Sequence, residues 1–328
     1  MATGNASTRR DSLGALRCWA VWLAVLPLLP WAIMRGFGLE GHSGLAPLVS
    51  FTPYVAVGAF FSLGLCVAVR NWPAAALSAV ALAVLAVAVL PRAIGNGEAA
   101  PPGATQVKVM STNVYHGRAN PAALIALVNR VKPDILSVQE LNRSLAAELR
   151  RRGLEREMPY SVIDTRQGVT GMGLYSRYPL QQLPGPDPPN TRMQAGEIEL
   201  PDGQRLKVIN VHPFTPTGNH AEEWADELGE LPSTGSGIPW LLAGDFNATL
   251  DHAVLREVLD RGYRDAAAVT GQGLLPTWPD DSPRRLPPLI AIDHVLADER
   301  LGIEDFGVNR LPKTDHRAVF ATVFLRPD

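Results

Sequence analysis

Three long stretches without charge in the first hundred residues impose the strongest constraint on the fold. They cover residues 18–34, 41–69 and 71–91 and contain no Asp, Glu, Lys or Arg. A helix needs about 20 residues to cross the hydrocarbon core of a bilayer, so residues 18–94 are predicted to form three transmembrane helices. Arg35, Arg70 and Arg92 follow the stretches or end them, where their side chains can extend to lipid headgroups.

Basic residues before the first stretch predict the orientation. Arg9, Arg10 and Arg17 lie in residues 1–17, and the positive-inside bias makes this segment a cytoplasmic tail. Three crossings leave everything after residue 94 outside, so we expect a multi-pass protein of the cell membrane with an extracellular domain. The alternative is a cleaved signal peptide followed by a buried helical region. Three apolar stretches and the lack of a clear small-residue cleavage site favour the membrane protein.

The soluble part follows a short linker. Residues 95–106 contain Gly-Asn-Gly and Pro-Pro-Gly, a composition typical of linkers, and a domain is predicted over residues 107–328. From residue 101 onward, 24 Lys and Arg oppose 29 Asp and Glu, a net charge of −5. Proteins that bind nucleic acid through many phosphates usually carry a basic excess. The charge therefore disfavours nucleic acid as the main partner without excluding it.

Strand-like and helix-like segments alternate through this domain. Strands are predicted at residues 107–114, 135–141, 171–176, 193–200, 206–211, 240–246, 290–296 and 316–325, and helices at 121–131, 142–152, 220–231 and 253–260. Pro-Asp-Gly at residues 201–203 predicts a hairpin between two strands. The pattern alone allows two packed sheets flanked by helices or one doubly wound parallel sheet. The hairpin favours two sheets.

Polar side chains stand at the ends of the predicted strands. They comprise acids, amides and imidazoles: Asn113, Glu140, His212, Asp245, Asn247, Asp293, Asp315 and His316. Hard oxygen ligands, a base for water and imidazoles are what metal-assisted cleavage of a phosphate ester requires. Any one of these residues alone is better explained as a solvated strand end or a turn residue, but their combination predicts an active site.

The same segments resemble the endonuclease/exonuclease/phosphatase superfamily. The resemblance rests on VMSTNV, SVQEL, GLYSRYP, VINVHP, LAGDFN, AIDHV and TDHRAV, and it covers residues 107–326. It implies an α+β fold, a four-layer αββα sandwich, for the catalytic domain. Asp315 and His316 are adjacent, and neighbours on a regular strand point to opposite faces. Both can reach one site only if the chain turns there, and Pro312 makes such a turn plausible.

The resemblance also implies a role for each site residue. Glu140, Asn113 and Asp315 would line a site for Mg²⁺ (or Mn²⁺). Asp245 would activate the attacking water while Asn247 binds the phosphate. His316, supported by Asp293, would face the scissile phosphate, and His212 would protonate the leaving oxygen. Tyr175 and Trp278 lie in segments that line the substrate cleft in relatives.

The membrane stretches narrow the expected substrate. A tether of about a dozen residues raises the effective concentration of the site toward lipid headgroups, so a lipid-linked phosphate is the leading prediction. Three spans before such a domain are similar to teicoplanin-resistance proteins, which suggests a cell-wall lipid carrier. A surface nuclease is the first alternative, and a catalytically silent binding protein with the same fold is the second. No protein partner is predicted.

Overall fold

Two six-stranded sheets pack face to face and carry helices on their outer faces. The computed structural model describes residues 19–40, 44–165, 170–186, 193–280 and 287–325. Strand residues alternate between layers, as the period of two requires. Val109 and Leu241 point into the core between the sheets, whereas Met110 and Leu242 pack under the outer helices. The predicted α+β sandwich is therefore confirmed.

Each sheet is mixed and has a parallel pair at its centre. The first sheet has the order β11-β12-β1-β2-β4-β3, and only β1 and β2 run parallel. Its strands are β1 (Gln106–Asn113), β2 (Ile135–Gln139), β3 (Tyr160–Asp164), β4 (Met172–Ser176), β11 (Leu301–Asn309) and β12 (Ala318–Leu325).

The second sheet repeats this arrangement with the order β5-β6-β7-β8-β10-β9, and here β7 and β8 are the parallel pair. Its strands are β5 (Leu180–Leu183), β6 (Gln194–Glu199), β7 (Arg205–Val211), β8 (Trp240–Asp245), β9 (Tyr263–Asp265) and β10 (Asp293–Asp298). Gly203, with φ of 81°, lies in the predicted hairpin between β6 and β7. The alternative of a doubly wound parallel sheet is wrong.

Most helices of the domain cover the outer faces of the two sheets, and the last one contributes Ala266 and Ala267 to the core between them. They are α5 (Pro121–Val131), α6 (Arg143–Arg151), α7 (Leu154–Glu157), α8 (Ala221–Gly229), α9 (Ala253–Asp260) and α10 (Ala266–Val269). Asn142 caps α6 by accepting from the Leu145 backbone N–H at 2.8 Å, which satisfies one donor that the first helical turn leaves free.

The apolar stretches fold as helices in front of the domain. They are α1 (Trp19–Phe37, with a turn at residues 26–27), the short α2 (Ala46–Val49), α3 (Thr52–Ala68) and α4 (Trp72–Val89), which continues as a 3₁₀ turn to Ala93. By length and composition alone, Trp19–Phe37 and Trp72–Ala93 could cross a membrane, and α3 has 17 residues. Length therefore supports two of the three predicted spans.

Small side chains, with a few aliphatic ones such as Leu85, fill the contacts between these helices, and most large side chains face outward. Ser62 on α3 lies 3.3 Å from Ser78 on α4, oxygen to oxygen, and Ala59 and Ala81 are fully buried. The aromatic rings of α3 point outward, and Phe61 is 68% exposed. Small residues inside and large apolar residues outside are typical of helices packed in lipid.

A buried ion-pair cluster joins the helices to the domain. Asp251, just before α9, accepts from Arg92 at 2.5 and 2.8 Å and from Arg35 at 3.2 Å. The expectation that Arg35 and Arg92 extend to headgroups is therefore wrong, because a buried carboxylate of the domain binds both. Ala253 at the start of α9 donates its N–H to Glu40 at 2.7 Å.

The predicted linker is also in contact with the domain. Glu98 donates its backbone N–H to the Ile303 carbonyl at 2.7 Å and pairs with Arg264. Gly97, with φ of 67°, passes so close to Glu304 that an added Cβ would lie 2.1 Å from its carbonyl oxygen. The segment therefore runs along β11 as a fixed connection.

Asp251→Ala should lower the free energy of unfolding by about 3 kcal/mol, because it leaves two guanidinium groups without their counter-charge. The measurement is chemical denaturation of the full chain in lipid nanodiscs, followed by tryptophan fluorescence. Glu155→Ala is the matched control, since its pair with Arg150 is exposed and should change stability by less than about 1 kcal/mol. Equal effects of the two variants would contradict a structural role for the buried cluster.

Candidate active site

The parallel pairs bring the polar strand ends together. Carboxyl ends of parallel strands lie at the same edge of a sheet, so Asn113 and Glu140 follow β1 and β2 at one edge, and His212 and Asp245 do so in the other sheet. Asp293 begins β10 directly opposite Asp245 in the antiparallel register. The sandwich places both edges side by side, so residues distant in sequence face one cleft.

Asn113 connects the two sheets at this cleft. Its Nδ2 donates to Glu140 Oε1 at 3.1 Å and to Asp245 Oδ2 at 3.0 Å. Its Oδ1 accepts from the Tyr115 backbone N–H at 2.9 Å. Asn113 was predicted to line the metal site, but in this arrangement its amide nitrogen faces the carboxylates and its oxygen faces the chain. Asn113 therefore holds the Glu140 and Asp245 carboxylates close together.

Three local features shape the backbone at the site. Glu140 and Asn247 adopt left-handed conformations with φ of 59° and 50°, which are uncommon for residues other than Gly and concentrate at functional sites. Gly244 lies inside β8, where an added Cβ would be 1.9 Å from the Val211 carbonyl oxygen. Gly244 is therefore required for the close approach of β7 and β8.

His316 is held between two carboxylates. Its Nδ1 donates to both oxygens of Asp293, at 3.0 and 3.2 Å, and its Nε2 lies 3.5 Å from Asp245 Oδ2. Burial lowers the pKa of His316, but the negative charges of Asp293 and Asp245 outweigh it and raise the pKa to about 10. Burial also raises the pKa of Asp245 above its usual range, which makes it a stronger base than a solvated aspartate.

His212 occupies the space between the other acids. Its Nε2 lies 3.8 Å from Glu140 Oε1 and 3.9 Å from Asp245 Oδ2. These distances exceed a hydrogen bond, so the ring faces the cleft without closing onto either carboxylate. The Nε2 of His212 can therefore reach an oxygen of a ligand bound between Glu140 and Asp245.

Asp315 and His316 reach the same cleft because β12 begins only at Ala318. The turn that the sequence predicted before them is confirmed. Thr314 fixes it by donating its hydroxyl to the Asn113 carbonyl at 2.8 Å. Trp278 Nε1 donates to Asp315 Oδ2 at 3.2 Å, so the predicted substrate-binding Trp278 lies at the cleft wall.

Tyr175 is the one predicted site residue that the structure places elsewhere. It lies on β4, is 2% exposed and packs among the side chains under α5 and α6. Its neighbour Leu174 points into the core between the sheets. The prediction that Tyr175 contacts substrate is therefore corrected. Burial, together with the negative charge of Glu155, raises the pKa of its hydroxyl well above the ordinary value.

A buried polar network under the site was not anticipated from the sequence. Gln139 Nε2 lies 2.8 Å from Asn210 Oδ1 and 3.1 and 3.0 Å from the hydroxyl oxygens of Ser111 and Ser137, and Ser137 donates across the sheets to the Ala243 carbonyl at 2.8 Å. All four side chains are fully buried. This layer fixes the register between the sheets. The signal in the sequence that could have identified it is the presence of polar residues within the strands, just before the site residues at the strand ends.

His294 and Thr277 support the site from behind. His294 pairs with Asp265 at 2.9 Å and contacts the Ala248 carbonyl at 2.9 Å. The Thr277 hydroxyl accepts from the backbone N–H groups of Ile292 and Asp293 at 3.1 and 3.3 Å. These contacts fix the start of β10, and thereby the Asp293 carboxylate that orients His316.

The cleft has a volume of about 350 Å³, enough for a phosphate group and part of its substituent. Four acidic side chains and two imidazoles belong to it or lie directly behind it: Glu140, Asp245, Asp293, Asp315, His212 and His316.

The donor set fits a hard divalent cation. Carboxylate oxygens are the ligands that Mg²⁺ and Mn²⁺ accept, and Asp315 Oδ1 is buried without a hydrogen-bond partner among the described residues. Ligand atoms of Asp245, Asp293 and His316 also lie within 4.8 Å of one another. Because Asp293 already binds His316 Nδ1, Glu140 and Asp315 fit the ligand role better.

This fold and this cleft define a class of hydrolases that act on phosphate esters. A model of the endonuclease/exonuclease/phosphatase family matches residues 110–316. The match covers more than half of the chain, and the chain belongs to this family. No curated protein sequence matches the chain.

Solved structures of low identity share the fold. An endonuclease/exonuclease/phosphatase from Beutenbergia cavernae is 17% identical over 67% of this chain and 72% of its own length, with a TM-score of 0.51. TDP2 of D. rerio, complexed with a single-strand DNA product, is 15% identical over 67% and 99%, with a TM-score of 0.51. The human Nocturnin catalytic domain with bound sulfate is 17% identical over 67% and 94%, with a TM-score of 0.50.

His316 should titrate far above the ordinary histidine value of 6.5 in the metal-free protein, close to pH 10. Because the folded-state pKa is raised, its proton stabilises the fold fully below pH 6.5, and this contribution is lost as pH rises through 10. The measurement is NMR of ¹³C-labelled histidines. Asp293→Asn should lower the titration midpoint, and His220→Gln should remove only an exposed-histidine signal. A midpoint near 6.5 in the parent protein would contradict the pairing.

Proposed function

We propose that this protein is a divalent-metal-dependent phosphoesterase that activates water with Asp245. One observation carries the proposal. Asp245 shares the Asn113 amide with Glu140 and lies 3.5 Å from the His316 imidazole. A base, a metal-ligand candidate and a cationic ring therefore face one cleft, and this is the arrangement needed for attack on phosphorus.

Asp245 has the geometry of a base. Its Oδ1 accepts from the Asn247 N–H at 2.9 Å and its Oδ2 accepts from Asn113. Each carboxylate oxygen has a further lone pair, and the raised pKa of Asp245 favours taking up the proton of a water molecule. Asn113 and Asn247 thus hold the carboxylate while it acts.

The imidazoles and Asn247 bind the phosphate. His316, kept protonated by Asp293, directs its Nε2 into the cleft and stabilises negative charge that develops on phosphate oxygens. His212 Nε2 lies 3.9 Å from Asp245 Oδ2 and can donate a proton to the leaving oxygen. Asn247 uses one amide hydrogen for the Pro213 carbonyl at 3.1 Å, and its second can bind the phosphate.

Glu140 and Asp315 would hold the cation. A bound Mg²⁺ or Mn²⁺ neutralises charge on the phosphate and lowers the pKa of water. Asp293 binds His316 Nδ1, whereas Asp315 lies 3.9 Å from its Nε2, so the hydrogen bond that orients the imidazole does not involve either of the two proposed metal ligands.

The substrate proposed is a lipid-linked phosphate ester or pyrophosphate. The apolar outer surface of α1, α3 and α4 supports a multi-pass location in the cell membrane, and Arg9, Arg10 and Arg17 support an extracellular domain. A cell-wall lipid carrier, with a role in glycopeptide resistance, is the specific candidate that the sequence resemblance suggested. Contact between helices and domain keeps the site near the bilayer, which favours a lipid substrate.

A surface nuclease is the second candidate. The TDP2 structure with a single-strand DNA product shares the fold. Against a nuclease stand the net charge of −5 and the cleft lining, in which no described residue is Lys or Arg. The catalytically silent protein is disfavoured because every acid and imidazole of the predicted site is present.

Asp245→Ala and His316→Ala should each reduce hydrolysis by at least about 100-fold, because each removes a group that acts on the reacting atoms. The assay is release of phosphate or nucleotide by the full chain in nanodiscs with Mg²⁺, using a lipid pyrophosphate, a phospholipid and single-stranded DNA. His220→Ala is the control, since this side chain is exposed and stacks on Phe214 outside the cleft.

Circular dichroism should show that both site variants fold. Turnover undiminished by either substitution, or unaffected by removal of divalent cations with EDTA, would overturn the proposed mechanism. Preferential cleavage of DNA would support the nuclease instead of the lipid phosphoesterase.

Protease added to intact cells should remove the catalytic domain, because the orientation proposed here exposes it outside. Immunoblotting with an antibody against the C-terminal region measures the loss, and a cytoplasmic protein serves as the intactness control. Complete protection in intact cells, followed by cleavage after lysis, would reverse the proposed topology.

A further inference from the structure

The catalytic cleft has a wall that comes from the N-terminal helices. Pro47 and Ser50 of the α2 segment and Phe51 at the start of α3 line the same cavity as Asp245 and His316. Ile290, Ile292 and Trp278 line it from the domain. The helices are therefore part of the site, in addition to being an anchor.

Hydrogen bonds fix this wall on both sides of Phe51. His252 Nε2 lies 2.9 Å from the Ala46 carbonyl oxygen, and the Tyr54 hydroxyl donates to the Leu289 carbonyl at 2.7 Å. The Asp251 cluster holds the ends of α1 and α4 at the same face of the domain. The position of Phe51 relative to the catalytic groups is thus set by contacts on several elements.

The cleft separates polar from apolar groups. Carboxylates and imidazoles form its floor, whereas Pro47, Phe51 and Ile290 are apolar. A second cavity, of about 220 Å³, shares Ser50 and Ile290 with the cleft and extends between α3 and the domain along Tyr54 and Val57. Arg92 and Asp251, which are paired with each other, line this second cavity on its domain side. Along α3 the lining is Tyr54 and Val57, and Val57 is 57% exposed, so a path along α3 runs from the cleft to the outer surface of this helix.

Resting on the proposed function, we infer that residues 46–51 select a phosphate ester that carries a long hydrocarbon chain. The phosphate lies on the polar floor, and the chain leaves between Phe51 and Ile290 and follows α3 toward the bilayer. The occupant is a lipid whose chain stays in the membrane while its headgroup enters the site.

A polynucleotide fits these walls less well. Its neighbouring phosphates would need cations, and the described lining residues include neither Lys nor Arg. The aromatic rings of Phe51 and Trp278 could still stack on a base, so an oligonucleotide is included in the test.

The test compares dimethylallyl pyrophosphate with farnesyl pyrophosphate, which have the same headgroup and different chain lengths. Dissociation constants are measured by calorimetry on the full chain in lipid nanodiscs, in an Asp245→Asn background so that ligand is not consumed. The quantity compared between variants is the ratio of the two dissociation constants. The longer ligand also partitions into lipid, but this partition is the same for all variants and does not change how the ratio differs between them.

Phe51→Ala should reduce the preference for farnesyl pyrophosphate by about tenfold, roughly the effect of withdrawing two buried methylene groups. Phe51 makes no side-chain cap of α3, so its truncation leaves the start of the helix intact. Ile290→Ala, on the facing wall, should act in the same direction and provides a second variant. Phe60→Ala is the matched control, because its ring is 62% exposed on the outer side of α3.

The outcomes separate this inference from the proposed function. The inference is overturned if neither Phe51→Ala nor Ile290→Ala changes the ratio. It is also overturned if oligothymidylate binds more tightly than farnesyl pyrophosphate and Phe51→Ala weakens the binding of oligothymidylate. Failure of the parent protein to hydrolyse any phosphate substrate overturns the proposed function, whereas the binding ratio still reports on the wall. A ratio that falls in both wall variants and not in Phe60→Ala supports the inference.

Discussion

One shared amide holds this site together. Glu140 belongs to the first sheet and Asp245 to the second, and the two carboxylates would repel each other in a buried cleft. The Asn113 Nδ2 donates to both, at 3.1 and 3.0 Å, and so offsets that repulsion while fixing the distance between the sheets. The buried network of Gln139 and Asn210 lies directly beneath and keeps the register in which this bridge forms.

The strand ends could be predicted from the sequence because polar residues there interrupt apolar runs. Two helices, at residues 121–131 and 253–260, were predicted with the bounds they have in the structure. The edge strands were not predicted because their residues do not alternate between apolar and polar. Strand β9 has only three residues, and β11 carries Gly302, Glu304 and Asp305. These segments are extended because they pair with a neighbouring strand, and the local sequence pattern contains no information about that pairing.

Side-chain direction was the second limit of the sequence. Asp315 and His316 share the cleft because a turn precedes β12, as the prediction required. The prediction for Tyr175 was wrong for the opposite reason. Tyr175 lies in a regular strand, and its neighbour Leu174 already points into the core between the sheets. The partner of Arg92 could not be predicted either, because Asp251 is 159 residues away along the chain. Basic residues beside apolar stretches, such as Arg35 and Arg92, are normally explained by contacts with lipid headgroups.

The separation of that ion pair bears on how the chain is made. The guanidinium groups emerge from the ribosome long before their carboxylate does, so the N-terminal helices carry uncompensated charges until most of the domain has been synthesised. The junction between the N-terminal helices and the domain therefore closes only when α9 docks. A fragment produced without the N-terminal helices would retain the reactive groups but would carry Asp251 without its two arginine partners and a cleft open on one side, so it would be a poor substitute for the intact protein.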